Sequence, residues 1–260
     1  MNWTLPKDNT APVITAEKHI HNRYGNTHFD ALPKTCVIFE IGMAMDFLES
    51  NFQTITLFEK LPCFLEDSRC ISIKENETVC FTRGGYGSPA AVDTLETVRA
   101  LGARRIIVVG MCGGFGEKIN VGSVIIPNKI LCEEGTSFHY LEHIEFAEPD
   151  PSLFTKASAC FSDRFETSTE PTVTSDAFYR QTYAKEALWR EKGCVAVDME
   201  SSALLSVSRY YSLPAVSILL CSDRHPVSEN STEWNWGNSS FKEIREQFVR
   251  QVVQFALHLT

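Results

Sequence analysis

Acidic side chains stand at two points where apolar, strand-like runs of this sequence end, a place where a carboxylate can meet a ligand. Val197-Asp198-Met199-Glu200-Ser201-Ser202-Ala203 sets two acids at the start of a helical stretch. The plain reading is helix-dipole and capping stabilisation, worth about 0.3–1 kcal/mol each. Glu200 nevertheless lies among Met199, Ala203 and Leu204, where a charge needs a partner, and a ligand hydroxyl would serve. Cys221-Ser222-Asp223-Arg224-His225 ends the last long apolar run. Asp223 can cap or pair with Arg224; partly desolvated and with a raised pKa, it can instead act as a general acid. Phe178 and Tyr179 follow Thr174-Ser175-Asp176-Ala177. They read either as core aromatics or, just beyond a strand end, as a stacking platform for a flat heterocycle.

Gly110-Met111-Cys112-Gly113-Gly114-Phe115-Gly116 follows the most apolar run of the chain. It is not a dinucleotide loop, because G-x-G-x-x-G spacing is absent and the next residues read as a strand, not a helix. It is either a plain turn or a place where backbone approaches a ligand, which glycine permits for want of a side chain. His139-Tyr140-Leu141-Glu142-His143 matches the H-x-x-E-H pattern of some zinc peptidases. Flanking Gly135 and Pro149 argue against the long helix that chemistry needs, and no C-x-x-C pair occurs, so no metal is expected.

These groups must be held by elements that alternate between strand and helix. Residues 1–34 are polar and rich in His, Asn and Pro, and read as an N-terminal arm with little regular structure. From residue 35 to 260 a single domain is expected. Cys36-Val37-Ile38-Phe39, Val79-Cys80-Phe81-Thr82, Arg105-Ile106-Ile107-Val108-Val109, residues 121–127 and Pro214-Ala215-Val216-Ser217-Ile218-Leu219-Leu220 read as strands. Runs buried on both faces belong to parallel sheets. Helical spacing follows Ser88-Pro89 and Met199, and an amphipathic helix closes the chain over residues 241–259. The fold class is α/β: one domain around a central, largely parallel sheet. Ligands of such sheets sit beyond the carboxyl ends of the strands.

Composition narrows the classes. The 260 residues carry 24 Lys+Arg and 33 Asp+Glu, a net charge of −9, with 43% hydrophobic residues. That balance disfavours nucleic-acid phosphates and anionic membranes as partners, and no apolar run approaches the roughly 20 residues of a membrane span. No secretory leader is visible in the first residues. Nine cysteines, an odd number lying mostly in apolar runs, read as buried thiols of a reducing compartment. A cytoplasmic location is expected.

Taken in order, RGGYGSPAAV, VVGMCGGFGEKINVGSVIIP, EEGTSFHY, VTSDAFY, VAVDMESSALL and LLCSD resemble the nucleoside phosphorylase and nucleosidase superfamily over about residues 36 to 225. GTSFHY and TSDAFY look closest to uridine phosphorylases; DMES followed by LLCSD also resembles AMP nucleosidases. The resemblance implies a single-domain three-layer α/β sandwich with a central mixed, largely parallel sheet, and cleavage of the N-glycosidic bond of a nucleoside. Phe178 would stack on the base with Tyr179 close by, and Met199 would pack on the ribose. Glu200 would accept from a ribose hydroxyl, and Asp223 would protonate a purine leaving group. Asp198, Ser222, Gly113 and Gly114 complete the expected substrate-binding set. Gly85, Gly87, Gly110 and Met111 would line a pocket for phosphate or water.

The departures bear on the acceptor. The family's first phosphate-binding Arg has no counterpart in Phe39-Glu40-Ile41-Gly42-Met43, its second falls on Val108, and its phosphate-binding Ser falls on Met111. A dianion needs charge-assisted donors. Phosphorolysis to free base and pentose-1-phosphate is the expected reaction, with inorganic phosphate as co-substrate and no cofactor. The alternative is hydrolysis, with Glu40 or Asp46 activating water. A second alternative is a non-catalytic nucleoside-binding protein. The Gln-x-Arg pair that reads uracil is missing, since Arg180-Gln181 is adjacent and reversed, and Asp223 favours a purine. His19 or His21 could reach a neighbouring subunit's ribose site. With Trp234 and Trp236 this points to a homo-oligomer, a dimer or hexamer of dimers, and residues 226–240 read as a mobile loop.

Overall fold

The computed structural model describes residues 10–25, 29–65, 68–226, 228–230, 234–236 and 241–259. Its strands are β1 (Thr35–Phe39), β2 (Thr54–Phe58), β3 (Cys70–Ile73), β4 (Asn76–Arg83), β5 (Arg105–Gly114), β6 (Val124–Ile125), β7 (Ile130–Glu133), β8 (Phe146–Ala147), β9 (Thr167–Ser168), β10 (Thr172–Ser175), β11 (Ala196–Asp198), β12 (Ala215–Arg224) and β13 (Asn235–Trp236). The helices are α1 (Ala16–Tyr24), α2 (Ala44–Asn51), α3 (Ser88–Ala100), α4 (Ser137–Tyr140), α5 (Pro151–Ser162), α6 (Tyr183–Glu191), α7 (Ser201–Tyr210) and α8 (Phe241–Leu257).

All the strands join one mixed sheet. Its centre is parallel: β1 lies between β4 and β5, and β12 runs along the other edge of β5. Because strand side chains alternate, each central strand feeds two cores. Val37 and Phe39, Ile107 and Val109, and Val216, Ile218 and Leu220 face the layer of α2, α5 and α8. Cys36 and Ile38, and Ile106 and Val108, face α3 and α7. The chain is therefore a three-layer α/β sandwich. All nine thiols are free and eight are buried, with Cys160 half-buried.

One feature of β5 places the site. Its first half pairs with β1 as far as Val109, whereas Gly113 and Gly114 pair antiparallel with β11. Between those points one edge of β5 changes partner, and the carboxyl end of β1 opens a crevice. On the opposite edge, β12 carries a bulge between Cys221 and Asp223. The extra residue, Ser222, sets Asp223 rather than itself beside Gly113.

Two expectations change. Residues 16–24 form a regular helix, α1, because Thr15 Oγ1 accepts the Lys18 N–H at 3.2 Å and Gly25 takes φ 60° after the last turn. That helix docks on its own domain, Glu17 reaching Arg99 of α3 at 2.8 Å, with the His19 ring edge-on to Phe64 at 5.1 Å. The strand expected over residues 121–127 shortens to β6, since Gly122 takes φ 93° in a turn closed by the Ser123 N–H to Asn120 O. Of the 226–240 loop, residues 227, 231–233 and 237–240 lie outside the described residues. No helix among the described residues is long and apolar enough to cross a membrane.

Phe161 of α5 is fully buried among Phe165, Phe248 and Phe255, with ring centroids 5.9 to 6.1 Å away. Phe161→Ala should lower unfolding free energy by about 3–5 kcal/mol, read from guanidinium denaturation.

Candidate active site

Glu40 follows β1 directly, and its N–H donates to Val109 O at 2.7 Å, which carries the strand one residue into the crevice. Its carboxylate is buried. It lies so close to Gly84 that any side chain there would overlap it, and Gly110 borders its Cβ. Glycine at 84 is thus a steric requirement of a buried acid.

The second group of acids sits where β11 runs into α7. Asp198 is buried, accepting from Thr174 Oγ1 at 2.5 Å and from the Ser201 N–H at 3.0 Å. It therefore caps α7, and burial raises its pKa. Glu200, at the N-cap position, makes no side-chain cap. Its Oε1 instead accepts the Gly87 N–H at 2.7 Å, and its Oε2 faces the Met199 N–H at 3.3 Å. Burial, with Asp198 nearby, pushes Glu200 up to about 8. Ser88 Oγ clamps Met199 O at 2.8 Å, so the start of α3 and the start of α7 are tied together.

The third part is a cavity of about 540 Å³ whose wall includes Phe178, Tyr179, Gln181, Glu186, Asp223, His225 and Trp234. Phe178 and Tyr179 stand on a short 3-10 turn after β10, 43% and 92% exposed, so neither is core. At the inner wall Asp223 takes three donors: Ser222 Oγ at 2.6 Å, Trp234 Nε1 at 2.7 Å and His225 Nε2 at 3.2 Å. The other nitrogen of His225, Nδ1, meets Glu186 Oε1 at 2.6 Å. Burial alone would raise Asp223, but these hydrogen bonds outweigh it and hold the acid below the usual range. Burial would lower His225, yet its two carboxylate partners lift it to about 9. The expectation of a raised Asp223 is thus reversed: in this arrangement the proton rests on the histidine.

The phosphorylase superfamily model matches residues 36–259. The chain belongs to the phosphorylase superfamily. A guanosine phosphorylase of Halorubrum lacusprofundi is 29% identical over 143 residues, 54% of this chain and 58% of that protein. A DeoD-type purine nucleoside phosphorylase of Brevibacillus brevis is 32% identical over 168 residues, 62% of this chain and 70% of that protein. The chain thus aligns with little more than half of the first of these relatives and about two thirds of the second. The crystal structure of purine nucleoside phosphorylase from Toxoplasma gondii, in complex with immucillin-H, superposes with a TM-score of 0.74 at 18% identity. The match covers 88% of this chain and 92% of that one, a likeness of fold.

Within this superfamily member the expected site residues divide. Glu40, Asp198, Met199, Glu200, Phe178, Tyr179, Ser222 and Asp223 gather at the strand ends. Several glycines have other work than lining a pocket. The Gly87 N–H is taken by Glu200, Gly85 packs on Ala90, and Gly114 packs on Ile119 and Cys221. Gly113 leaves room for the His225 ring, which a Cβ would overlap. Gly110 sits between Leu219 and Glu40, and half-buried Met111 packs toward the α2, α5 and α8 layer. Asp46 is exposed in the first turn of α2, and no described contact ties it to the other acids. Trp234 donates its indole N–H to Asp223 at 2.7 Å and is 42% exposed; the Trp236 side chain lies outside the described residues. His139 lies in four-residue α4, which stops at Tyr140, and Leu141 is extended, so H-x-x-E-H shares no helix. Among the described residues no cluster of three or more such side chains is arranged to hold a metal.

Sequence reasoning missed Gly84, Glu186 and His225. The last had a signal: Asp223 and His225 are two apart at a strand end and so share a face.

The raised Glu200 yields a stability test. The unfolded chain loses this proton near the ordinary value of 4.5, the folded chain only near 8. Folding stability should therefore fall as pH rises through that window. Glu200→Gln cannot ionise, so its Tm relative to wild type should climb by a few degrees from the acid to the alkaline end, measured by thermal melts across the window.

Proposed function

We propose that the protein cleaves the N-glycosidic bond of a purine nucleoside by phosphorolysis, giving free base and pentose-1-phosphate, with no cofactor beyond inorganic phosphate. The observation that carries this is the aromatic cavity whose inner wall is the Asp223–His225 pair, set one strand away from the Asp198–Glu200 acids. A base held between Phe178 and the inner wall directs its ring nitrogen at Asp223, while its sugar extends toward Met199 and Glu200. As the C1′–N bond lengthens, its electron pair passes to the base, which takes a proton from the Asp223 side. Positive charge grows on the sugar, where Glu200, having lost its proton to solvent before the bond breaks and accepting from a ribose hydroxyl, stabilises it. The acceptor oxygen then bonds C1′. Membership of the superfamily and the likeness to a guanosine phosphorylase and a purine nucleoside phosphorylase support the reading.

A second reading, hydrolysis, is favoured by Glu40. A buried carboxylate occupies the crevice on the sugar side, and Val108 and Met111 stand where the resemblance places an arginine and a serine. The nearest basic group by register is Arg83, paired across from Phe39 and held over the Tyr86 ring at 5.0 Å. Like charge repels a phosphate dianion, whereas a carboxylate can hold a water and take its proton. Exposed Val13, Ile14, Phe64 and Leu65 around α1 support the expectation of a homo-oligomer.

The test is base release from adenosine, inosine, guanosine, methylthioadenosine, AMP and uridine, with and without phosphate. Phosphorolysis requires phosphate and forms pentose-1-phosphate; equal release without it, as free pentose, establishes hydrolysis. Binding without release from any of the six would leave a nucleoside-binding protein. Glu40→Gln separates the two reactions: hydrolysis should fall by about 10²–10⁴-fold, while phosphorolysis should hold or rise. In either case Glu200→Ala should lower kcat/KM by about 10²-fold or more, through loss of the charge opposite the developing cation.

A further inference from the structure

The acid that faces the base is already saturated. Ser222, Trp234 and His225 all donate to Asp223, a setting that keeps a carboxylate ionised and leaves it no proton to give. The proton lies one step back. His225 is clamped between two carboxylates, Nε2 to Asp223 Oδ2 at 3.2 Å and Nδ1 to Glu186 Oε1 at 2.6 Å, with all three side chains almost out of water. An imidazole with a carboxylate on each nitrogen has a hydrogen at both, so it is an imidazolium. Its position is enforced. Gly113 of β5 leaves space only for the ring, Phe115 borders it at 6.5 Å, and Arg190 meets the second oxygen of Glu186 at 3.5 Å. The charges facing the ring are therefore Asp223 from β12 and Glu186 from α6, with Arg190 behind Glu186.

We infer that Glu186, His225 and Asp223 form a proton relay in which His225 stores the proton that Asp223 hands to the departing base. The inference rests on the nucleoside-cleaving reading above and extends it to residues that reading does not use. As the C1′–N pair passes to the base, His225 Nε2 gives its proton to Asp223 Oδ2, and Asp223 hands it on to a ring nitrogen such as N7. The base leaves neutral, Asp223 ends ionised as it began, and His225 becomes a neutral imidazole. That imidazole keeps its Nδ1 hydrogen on Glu186 and regains the lost proton from solvent after product release. Phosphate as acceptor adds no further proton; water as acceptor gives its proton to Glu40. Glu186 is a positioning residue here, fixing the tautomer and strengthening the base that stores the proton.

The experiment compares a substrate that needs the proton with one that does not. Wild type, His225→Gln and Glu186→Gln are assayed on the purine nucleoside cleaved fastest and on its N7-methyl derivative, whose base is already cationic and departs unprotonated. For the relay, His225→Gln should lose about 10²-fold or more in kcat on the parent nucleoside and stay within a few fold of wild type on the methylated one. Wild-type kcat/KM on the parent should decline as pH rises through about 9; that limb should move to lower pH in Glu186→Gln and be absent from His225→Gln. Glu186→Gln, which can still accept from Nδ1, should lose less than His225→Gln. Equal losses on both substrates mean that His225 only shapes the cavity and overturn the relay; so does wild-type activity of His225→Gln on both. Wild type releasing base from neither nucleoside overturns the functional reading, and the relay with it.

Discussion

Strand β5 exchanges one neighbour for another half-way along an edge, and most of the site follows from that exchange. Up to Val109 its backbone is satisfied by β1, and from Gly113 by β11. A strand cannot be paired on the same edge with both at once, so the carboxyl end of β1 is released into the gap and Glu40 goes with it. The close packing there excludes side chains at Gly84 and Gly113, where Glu40 and His225 come up against backbone. The bulge at Ser222 is the same constraint met on the other edge, since it brings Asp223 into register with Gly113.

Around that gap the protein holds acids out of water in two contrasting ways. Glu200 is buried beside another acid with two backbone N–H groups for company, and sits near 8. Asp223 is buried beside a cation with three donors and stays ionised. Carboxyl groups of one candidate site driven in opposite directions mark separate roles in acid–base work. The division follows from where cations and donors stand, because burial acts on both in the same sense. The Arg190–Glu186–His225–Asp223 row alternates in sign, which is how a small volume can hold four ionised groups.

The reach of local pattern can be traced residue by residue. The apolar runs that became β1, β5 and β12 are buried on both faces, and their composition alone demands that burial. The D-M-E-S turn into α7 was visible as an acid pair, with capping as the plain reading of both and a ligand hydroxyl as the alternative for Glu200. In the fold Asp198 caps, while Glu200 turns away to Gly87, 113 positions distant. Glycine-rich segments were legible as close approaches without showing what approaches. Helix α1 escaped notice because Ile20 is its one large aliphatic side chain, too few for a helical pattern; Thr15 caps it, and Ile20 packing and an ion pair to Arg99 hold it.

What the sequence by itself determined is the layered α/β architecture, through alternation and runs of buried side chains, and the identity of the acids and aromatics at strand ends. These depend on neighbours within a few positions, where spacing is physics. Tertiary structure alone decided which acid holds a proton and which does not. That depends on groups brought together from far along the chain: Glu186 against His225, Trp234 against Asp223, Gly87 against Glu200. Desolvation and charge act through space over a few ångströms, and a one-dimensional order carries no record of those distances.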